Sequence, residues 1–199
     1  MSVASIARLG HLPDVELVQT AVAGREASFE ELVSRYQRPI AAYVYRMVGD
    51  YDSALDLTQE VFIKVYNSLS RYRSEFKFST WIYKIAHNAA IDHLRRHAVR
   101  EHALTGSVDG DRAEVAIESR RLTPEQESER RERCSEIESV VQLLQPSYRE
   151  LIVLRHSHDL SYDEIAEVTG LPLGTVKNRL FRAREAMRDL LLQRGINSA

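Results

Sequence analysis

The residues best equipped for chemistry in this chain are cations and amides, not nucleophiles. From Leu160 to Arg188 the sequence reads LSYDEIAEVTGLPLGTVKNRLFRAREAMR. Ser161 and Glu164, three apart, form a capping box that opens one helix. Gly170 and Pro172 close it, and a longer helix is predicted from about Thr175 to Gln193. Two helices joined by a short glycine-containing turn are the helix-turn-helix plan. In the second helix Val176, Leu180, Ala183, Met187, Leu190 and Leu191 form an inward stripe. Thr175, Lys177, Asn178, Phe181 and Arg182 are left on the other faces near its start, where a recognition helix meets DNA. Lys and Arg pair with phosphate or guanine edges, and Asn pairs bidentately with adenine. A surface helix with merely solvated cations is the plainer alternative; the agreement of cap, turn and basic face favours nucleic acid.

A second constellation runs from Arg71 to Arg96. Phe76, Phe78, Trp81 and Tyr83 interleave with Arg71, Arg73, Lys77 and Lys84, and Asn88, His93, Arg95 and Arg96 follow. Aromatic rings beside cations suit single-stranded nucleic acid, because every base offers a face to stack on. Any one of these rings serves a helical core equally well. A third set, Asp56, Gln59 and Glu60, shares a polar helix face that by itself reads as solvated.

Enzyme chemistry is not indicated. The seven histidines are scattered, and His156-Ser157-His158 has no carboxylate or cysteine at metal-ligand spacing. The phosphate-binding and dinucleotide glycine motifs are missing from the sequence. A single cysteine, Cys134, excludes an internal disulfide framework and a cysteine-based zinc site. These readings call for no catalytic residue, no metal, no cofactor and no small-molecule substrate.

The elements that must position these groups are helical. The chain has 199 residues, 44% hydrophobic and 28% charged, an ordinary soluble composition with room for one or two cores. No apolar run reaches membrane-span length and no secretory signal opens the chain, so a cytoplasmic protein is expected. Phe29, Leu32, Val33, Tyr36, Ile40, Tyr43, Val44 and Met47 follow helical spacing, with a kink or break expected at Pro39. A second helix, about Ser53 to Leu69, carries Phe62, Val65, Tyr66 and Leu69 as its inward stripe. A third starts at Ser79 or Thr80, with Ile82, Ile85, Ala86, Ala89 and Leu94 inward. The expected class is therefore all-α. Residues 1–13 are a tip expected to be disordered, 14–100 a helical bundle, 101–133 a flexible acidic linker, and 134–194 a helix-turn-helix domain.

Net charge is −2, yet it is unevenly spread. Residues 71–100 hold seven Lys and Arg against two acids, and residues 171–194 six against two. Residues 101–136 between them hold ten acids against six cations. Two basic patches with an acidic spacer suit a protein that meets a polyanion in two places.

Four segments in order, FEELVSRYQRPI, DLTQEVFIKVY, FSTWIYKIAHNAAIDHLRR and LSYDEIAEVTGLPLGTVKNRLFRAREAM, resemble the extracytoplasmic-function (ECF) subfamily of bacterial sigma-70-type RNA polymerase sigma factors. LPDVELVQTAVAGREASFEEL upstream resembles that family's opening, and the likeness covers roughly residues 13–100 and 134–192. It implies that the first domain is sigma region 2 and the second sigma region 4. It further implies that the helix with Asp56, Leu57, Gln59, Glu60 and Phe62 docks on the clamp helices of the polymerase's largest subunit. Phe76, Lys77, Trp81, Lys84, Asn88, Arg95 and Arg96 would then read and help open the −10 element. Arg155, Thr175, Lys177, Asn178, Phe181 and Arg182 would read the −35 element while region 4 packs on the flap. An anti-sigma factor clamping both domains is common in that family. Asn178 stands where Ser is frequent, and His87 precedes Asn88 where Arg is common; both bear on the promoter sequence read. The rivals are a stand-alone helix-turn-helix regulator and a helical protein-protein adaptor.

Overall fold

The structure, a computed structural model, describes residues 9–104 and 136–194, and no strand occurs among them. The first helical unit starts with α1 (Asp14–Val22), which has Pro13 at its N-cap and the acids Asp14 and Glu16 in its first turn. Negative charge there complements the helix dipole. Next comes α2 (Glu26–Val48), stopped by Gly49 at φ 81°, a left-handed conformation that glycine adopts without strain. The Asp50 carboxylate then accepts a hydrogen bond from the Ser53 amide and caps α3 (Tyr51–Ser68). A 3₁₀ turn (Leu69–Arg71) and a loop lead into the long α4 (Phe78–Leu104).

The second unit comprises α5 (136–143), α6 (Pro146–Ile152), a π-helical turn (Val153–Ser157), α7 (Tyr162–Thr169) and α8 (Leu173–Gln193). Both halves of the predicted capping box form: Ser161 Oγ accepts from the Glu164 amide, and Glu164 Oε2 accepts from the Ser161 amide. Gly170, at φ 71°, ends α7 as the turn requires.

Three expectations are corrected. Pro39 does not break α2. A proline inside a helix costs about 3 kcal/mol, but Ile40, Tyr43, Val44 and Met47 follow it and are wholly buried. Each such side chain contributes about 1.5–3 kcal/mol, so packing carries the helix through. The inward stripe of α3 is Ala54, Leu57, Val61 and Val65, not Phe62 and Tyr66. Smaller side chains fill the close helix contacts, while Tyr66 lies at the margin, 61% exposed and edge-on to Phe29. Packed structure also begins earlier than residue 14: Leu9 is buried and Leu12 lies against the core.

Arg35 explains the last point. From α2 its guanidinium donates to the carbonyls of Leu9, Gly10 and Leu12 and pairs with Asp14 and Glu31. The anticipated disorder of residues 1–8 and mobility of the linker from 105 onward concern positions outside the described residues. The helix α4 itself continues to Leu104, past the expected boundary near Arg100.

The two units pack on one another. Helix α7 lies along α4, and α6 with the π turn meets α2. Among the described residues the buried apolar side chains of both units join in a single cluster. One test follows from the Arg35 anchor. Arg35→Ala removes charge-assisted bonds that hold residues 9–14 and should lower unfolding stability by about 1–3 kcal/mol. Urea denaturation measures the loss, and amide exchange should speed up first at residues 9–14.

Candidate nucleic-acid and docking surfaces

The loop before α4 is held by the Tyr72 hydroxyl, which donates to the Phe76 carbonyl at 2.6 Å. Phe78 is buried and packs edge-on to Tyr36 and Tyr72, and the half-buried Trp81 rests against Tyr72 and Phe78. The aromatic set thus divides by position. Phe78 and Tyr83 are core, Trp81 is mostly a packing ring, and Phe76 alone of the four stands out, 48% exposed, beside exposed Lys77. Asn88 is exposed one helical turn beyond Lys84, and Arg95 and Arg96 are exposed near Asp92, which pairs with Arg95 at 3.4 Å.

On α8, Val176, Leu180 and Ala183 are buried, which turns Lys177, Asn178, Phe181 and Arg182 to solvent. Phe181 is 65% exposed, unusual for so large an apolar ring. Thr175, Asn178, Arg179 and Arg182 face Ser147 and Tyr148 across an open depression of about 510 Å³. Its polar, cationic wall suits a phosphate backbone. Arg155 differs from the others. Its guanidinium donates to the Leu160 carbonyl at 2.9 Å and lies over the Tyr162 ring, bracing the entry to α7.

On α3, Asp56 and Gln59 are exposed, and Phe62 is half-buried. Glu60 pairs with Lys64 at 2.7 Å, and that hydrogen bond pulls its carboxyl below the usual range. Leu57, expected on the same docking face, is buried against the bundle and cannot touch a partner directly. Leu55 and Ile63 are exposed apolar side chains on this helix that sequence reading did not single out.

What sequence reading missed altogether is the seam between the units. Lys77 pairs with Glu164 at 2.8 Å and Lys84 with Glu167 at 2.9 Å. Arg46 pairs with Glu138, and the Gln142 amide donates to the Arg46 carbonyl. Behind these lies a buried polar group. The hydroxyl of Tyr83 meets His158 Nδ1 at 2.6 Å, that of Tyr43 meets His87 Nδ1 at 3.3 Å, and His87 stands 3.7 Å from Glu150. That approach is too long for a hydrogen bond, so the pair does not offset the burial of charge on either group. Burial pushes His87 and His158 down to about 4 and Glu150 up to about 7; Arg46 lowers His158 further, and Arg179 opposes the shift of Glu150.

Comparison with known proteins agrees with this layout. Residues 32–100 match the family model described as Sigma-70 region 2, and residues 134–187 that described as Sigma-70, region 4. The chain is 37% identical to the RNA polymerase sigma-H factor of Pseudomonas aeruginosa, covering 89% of this chain and 93% of that protein. It is 36% identical to the ECF RNA polymerase sigma-E factor of Escherichia coli (88% and 93% covered) and 34% identical to SigW of Bacillus subtilis (84% and 91%). Among solved structures, the sigma factor RpoE in complex with the anti-sigma factor NepR from Bartonella quintana shares the fold. Its TM-score is 0.68 at 20% identity, with 82% of this chain and 96% of that chain covered. CnrH in complex with the cytosolic domain of CnrY gives 0.66 at 24% identity, with 89% and 96% covered.

The seam makes the contact between the units pH-dependent. Separation returns the imidazoles toward 6.5 and the Glu150 carboxyl toward 4.5. The histidine contribution to closure is therefore complete above pH 6.5 and lost as pH falls toward about 4. That of Glu150 is complete below pH 4.5 and lost as pH rises through about 7. Between 4.5 and 6.5 two imidazoles outweigh one carboxyl, so closure strengthens with pH and levels off towards about 7. Protection factors along residues 84–88 and 164–168, each amide's intrinsic rate at that pH divided by its observed rate, should be lower at about pH 5 than at about pH 6.5.

Proposed function

The chain belongs to the ECF branch of the sigma-70 family of RNA polymerase sigma factors, and on that premise we propose that its two helical units divide promoter reading by the state of the DNA. The protein is a transcription initiation factor that directs RNA polymerase core to promoters. It acts through binding alone and works in the cytoplasm with the polymerase. Among the described residues no helix is long and apolar enough to cross a membrane.

Helix α8 reads duplex at the −35 element. Its buried stripe keeps the helix on its own domain, while Lys177, Asn178, Phe181 and Arg182 enter the major groove with Thr175 at the helix start. Arg155 contributes by holding the Leu160 carbonyl and so fixing the angle at which α7 and α8 present themselves. Region 2 takes the −10 element as its strands part. Phe76 with Lys77, then Lys84, Asn88, Arg95 and Arg96, form a surface where a base leaving the stack meets a ring and its phosphate meets a cation. Trp81 stiffens the loop from beneath and offers its remaining exposed edge. The polymerase docks on Asp56, Gln59, Glu60 and Phe62 of α3, with Leu57 supporting that face from inside, and on region 4 through the flap. Two modest DNA contacts become strong together because the polymerase holds them at a set separation.

One observation carries this reading: a single chain bears two DNA-suited surfaces of different build, a groove-sized polar helix start and a ring beside a lysine on a loop. Arg182→Ala should weaken −35 recognition by about 1–3 kcal/mol yet spare transcription from a template with a pre-melted bubble and intact −10 element. Asn88→Ala should weaken −10 selection even on the bubble. Equal loss by both variants on duplex and bubble would sink the division. Separately, reversing charge at Asp56 and Glu60 should weaken co-purification with core polymerase while leaving the circular-dichroism spectrum unchanged.

A further inference from the structure

We propose that His93 and His97, one turn apart on α4, chelate a divalent transition metal such as Zn²⁺, with the Asp50 carboxylate at the start of α3 as the third group. The site is separate from promoter reading and does not depend on it.

Helical register places the two rings together. Residues four apart share a face, with Cβ atoms about 5–6 Å apart. The imidazoles of His93 and His97 stack at 28° with their centres 6.1 Å apart. With metal–nitrogen bonds of about 2.0–2.1 Å, two imidazoles on one tetrahedral metal keep their centres about 5 Å apart. A small side-chain rotation covers the difference, and there is room for it: His97 is exposed and His93 only half-buried. Hydrolytic His-Glu-x-x-His helices supply two zinc ligands from the same spacing. Here the run is His93-Leu94-Arg95-Arg96-His97, with Leu94 where the general base of such a helix would stand. The pair is built to hold a metal without activating water for hydrolysis.

The surrounding charges fit a cation. Hydrogen bonds from Ser53 are the main reason the Asp50 carboxyl lies below its usual range, and His93 and His97 lower it further, which places it within reach of both rings. Capping α3 engages one of its oxygens with the Ser53 amide. A carboxylate has about four lone-pair sites, so it can also face a metal. The two cations of the same turn are engaged by Asp92: Arg95 pairs with its carboxylate at 3.4 Å, and Arg96 Nε donates to its carbonyl at 3.2 Å. Among the described residues no group of three His, Cys, Asp or Glu side chains stands ready to hold a metal. The site is therefore a two-imidazole chelate that Asp50 completes, directly or through a metal-bound water. Imidazole ligands select zinc, copper or nickel over magnesium and calcium, which take oxygen. The structural consequence is local. Residues 95–99 of α4 are all exposed, so little packing opposes fraying there, and the metal would clip this end of the helix to the corner between α2 and α3.

The test titrates the untagged full-length chain with Zn²⁺ by isothermal calorimetry and with Co²⁺ by visible absorption. A single Zn²⁺ per chain should bind. His93→Ala and His97→Ala should each lower the affinity by about tenfold or more, since either leaves one imidazole where two chelate. Asp50→Asn keeps a good helix cap and should lower it several-fold. His97 is exposed, so His97→Ala should keep the wild-type circular-dichroism spectrum and remains a fair test if His93→Ala misfolds. Zn²⁺ should raise amide protection along residues 93–99 in the wild type and leave it unchanged in His97→Ala. Co²⁺ should show a spectrum of nitrogen and oxygen ligands. A sulfur-to-cobalt charge-transfer band that disappears in Cys134→Ser would put the metal on the thiol and overturn the site. Failure of the wild type to bind Zn²⁺, or an affinity unchanged in His97→Ala or Asp50→Asn, would overturn it equally.

Discussion

A helix leaves its last carbonyls without partners inside itself, and the mutual arrangement of the two units depends on how that constraint is met at the end of α2. Gly49 turns left-handed and returns its amide to the Tyr45 carbonyl. The next carbonyls are taken by the other unit: Arg46 by the Gln142 amide and Met47 by the Arg149 guanidinium. The backbone of region 2 is thus capped by side chains of region 4. Arg149 also gathers the carbonyls of Gln142 and Leu144, so the same guanidinium shapes the corner between α5 and α6. Burial lowers its pKa, yet a guanidinium starts so high that it stays charged throughout.

Around that junction the polar groups fall into two classes. Exposed pairs such as Lys77–Glu164 are worth little each in water and respond to salt. The buried set of Tyr43, Tyr83, His87, Glu150 and His158 is insensitive to salt but carries protonation states imposed by desolvation. Closure therefore combines a screened electrostatic part with a pH-dependent buried part.

The two surfaces proposed to meet DNA obey opposite physical rules. The α8 surface is rigid: its residues project from a helix whose other side is locked into the core by Val176, Leu180 and Ala183. That suits duplex, whose groove has a definite shape. The loop ahead of α4 is shallow support for one exposed ring, with Phe78, Tyr72 and Trp81 packed beneath it. Such a platform accepts any base face and needs little preorganisation of the strand.

Much of this was legible in the residues alone. The capping box at Ser161 and Glu164, the glycine that ends α7, the inward stripe of α8 and its basic start are local features, each set by positions a few residues apart. Sequence periodicity resolves features on that scale. The stripe of α3 was read half correctly: Val65 and Leu69 are buried as expected, but Phe62 is only half-buried and Tyr66 exposed, because the tight contact selects the smaller Ala54, Leu57 and Val61. Which aromatics were core was likewise undecided, since a ring's role depends on what lies above it. The partners of Lys77 and Lys84 sit more than eighty residues away in the chain, and no local pattern encodes them. Nothing local marks His87, Glu150 and His158; burial at the seam is what pushes the two imidazoles down to about 4 and the carboxyl up to about 7. Sequence by itself therefore determined most of the helices, the family and which polar and basic faces lie near the start of α8 and ahead of α4, because these follow from short-range periodicity and side-chain chemistry. Tertiary structure alone decided which of those faces the chain covers with itself, because desolvation and long-range pairing exist only once the two units have met.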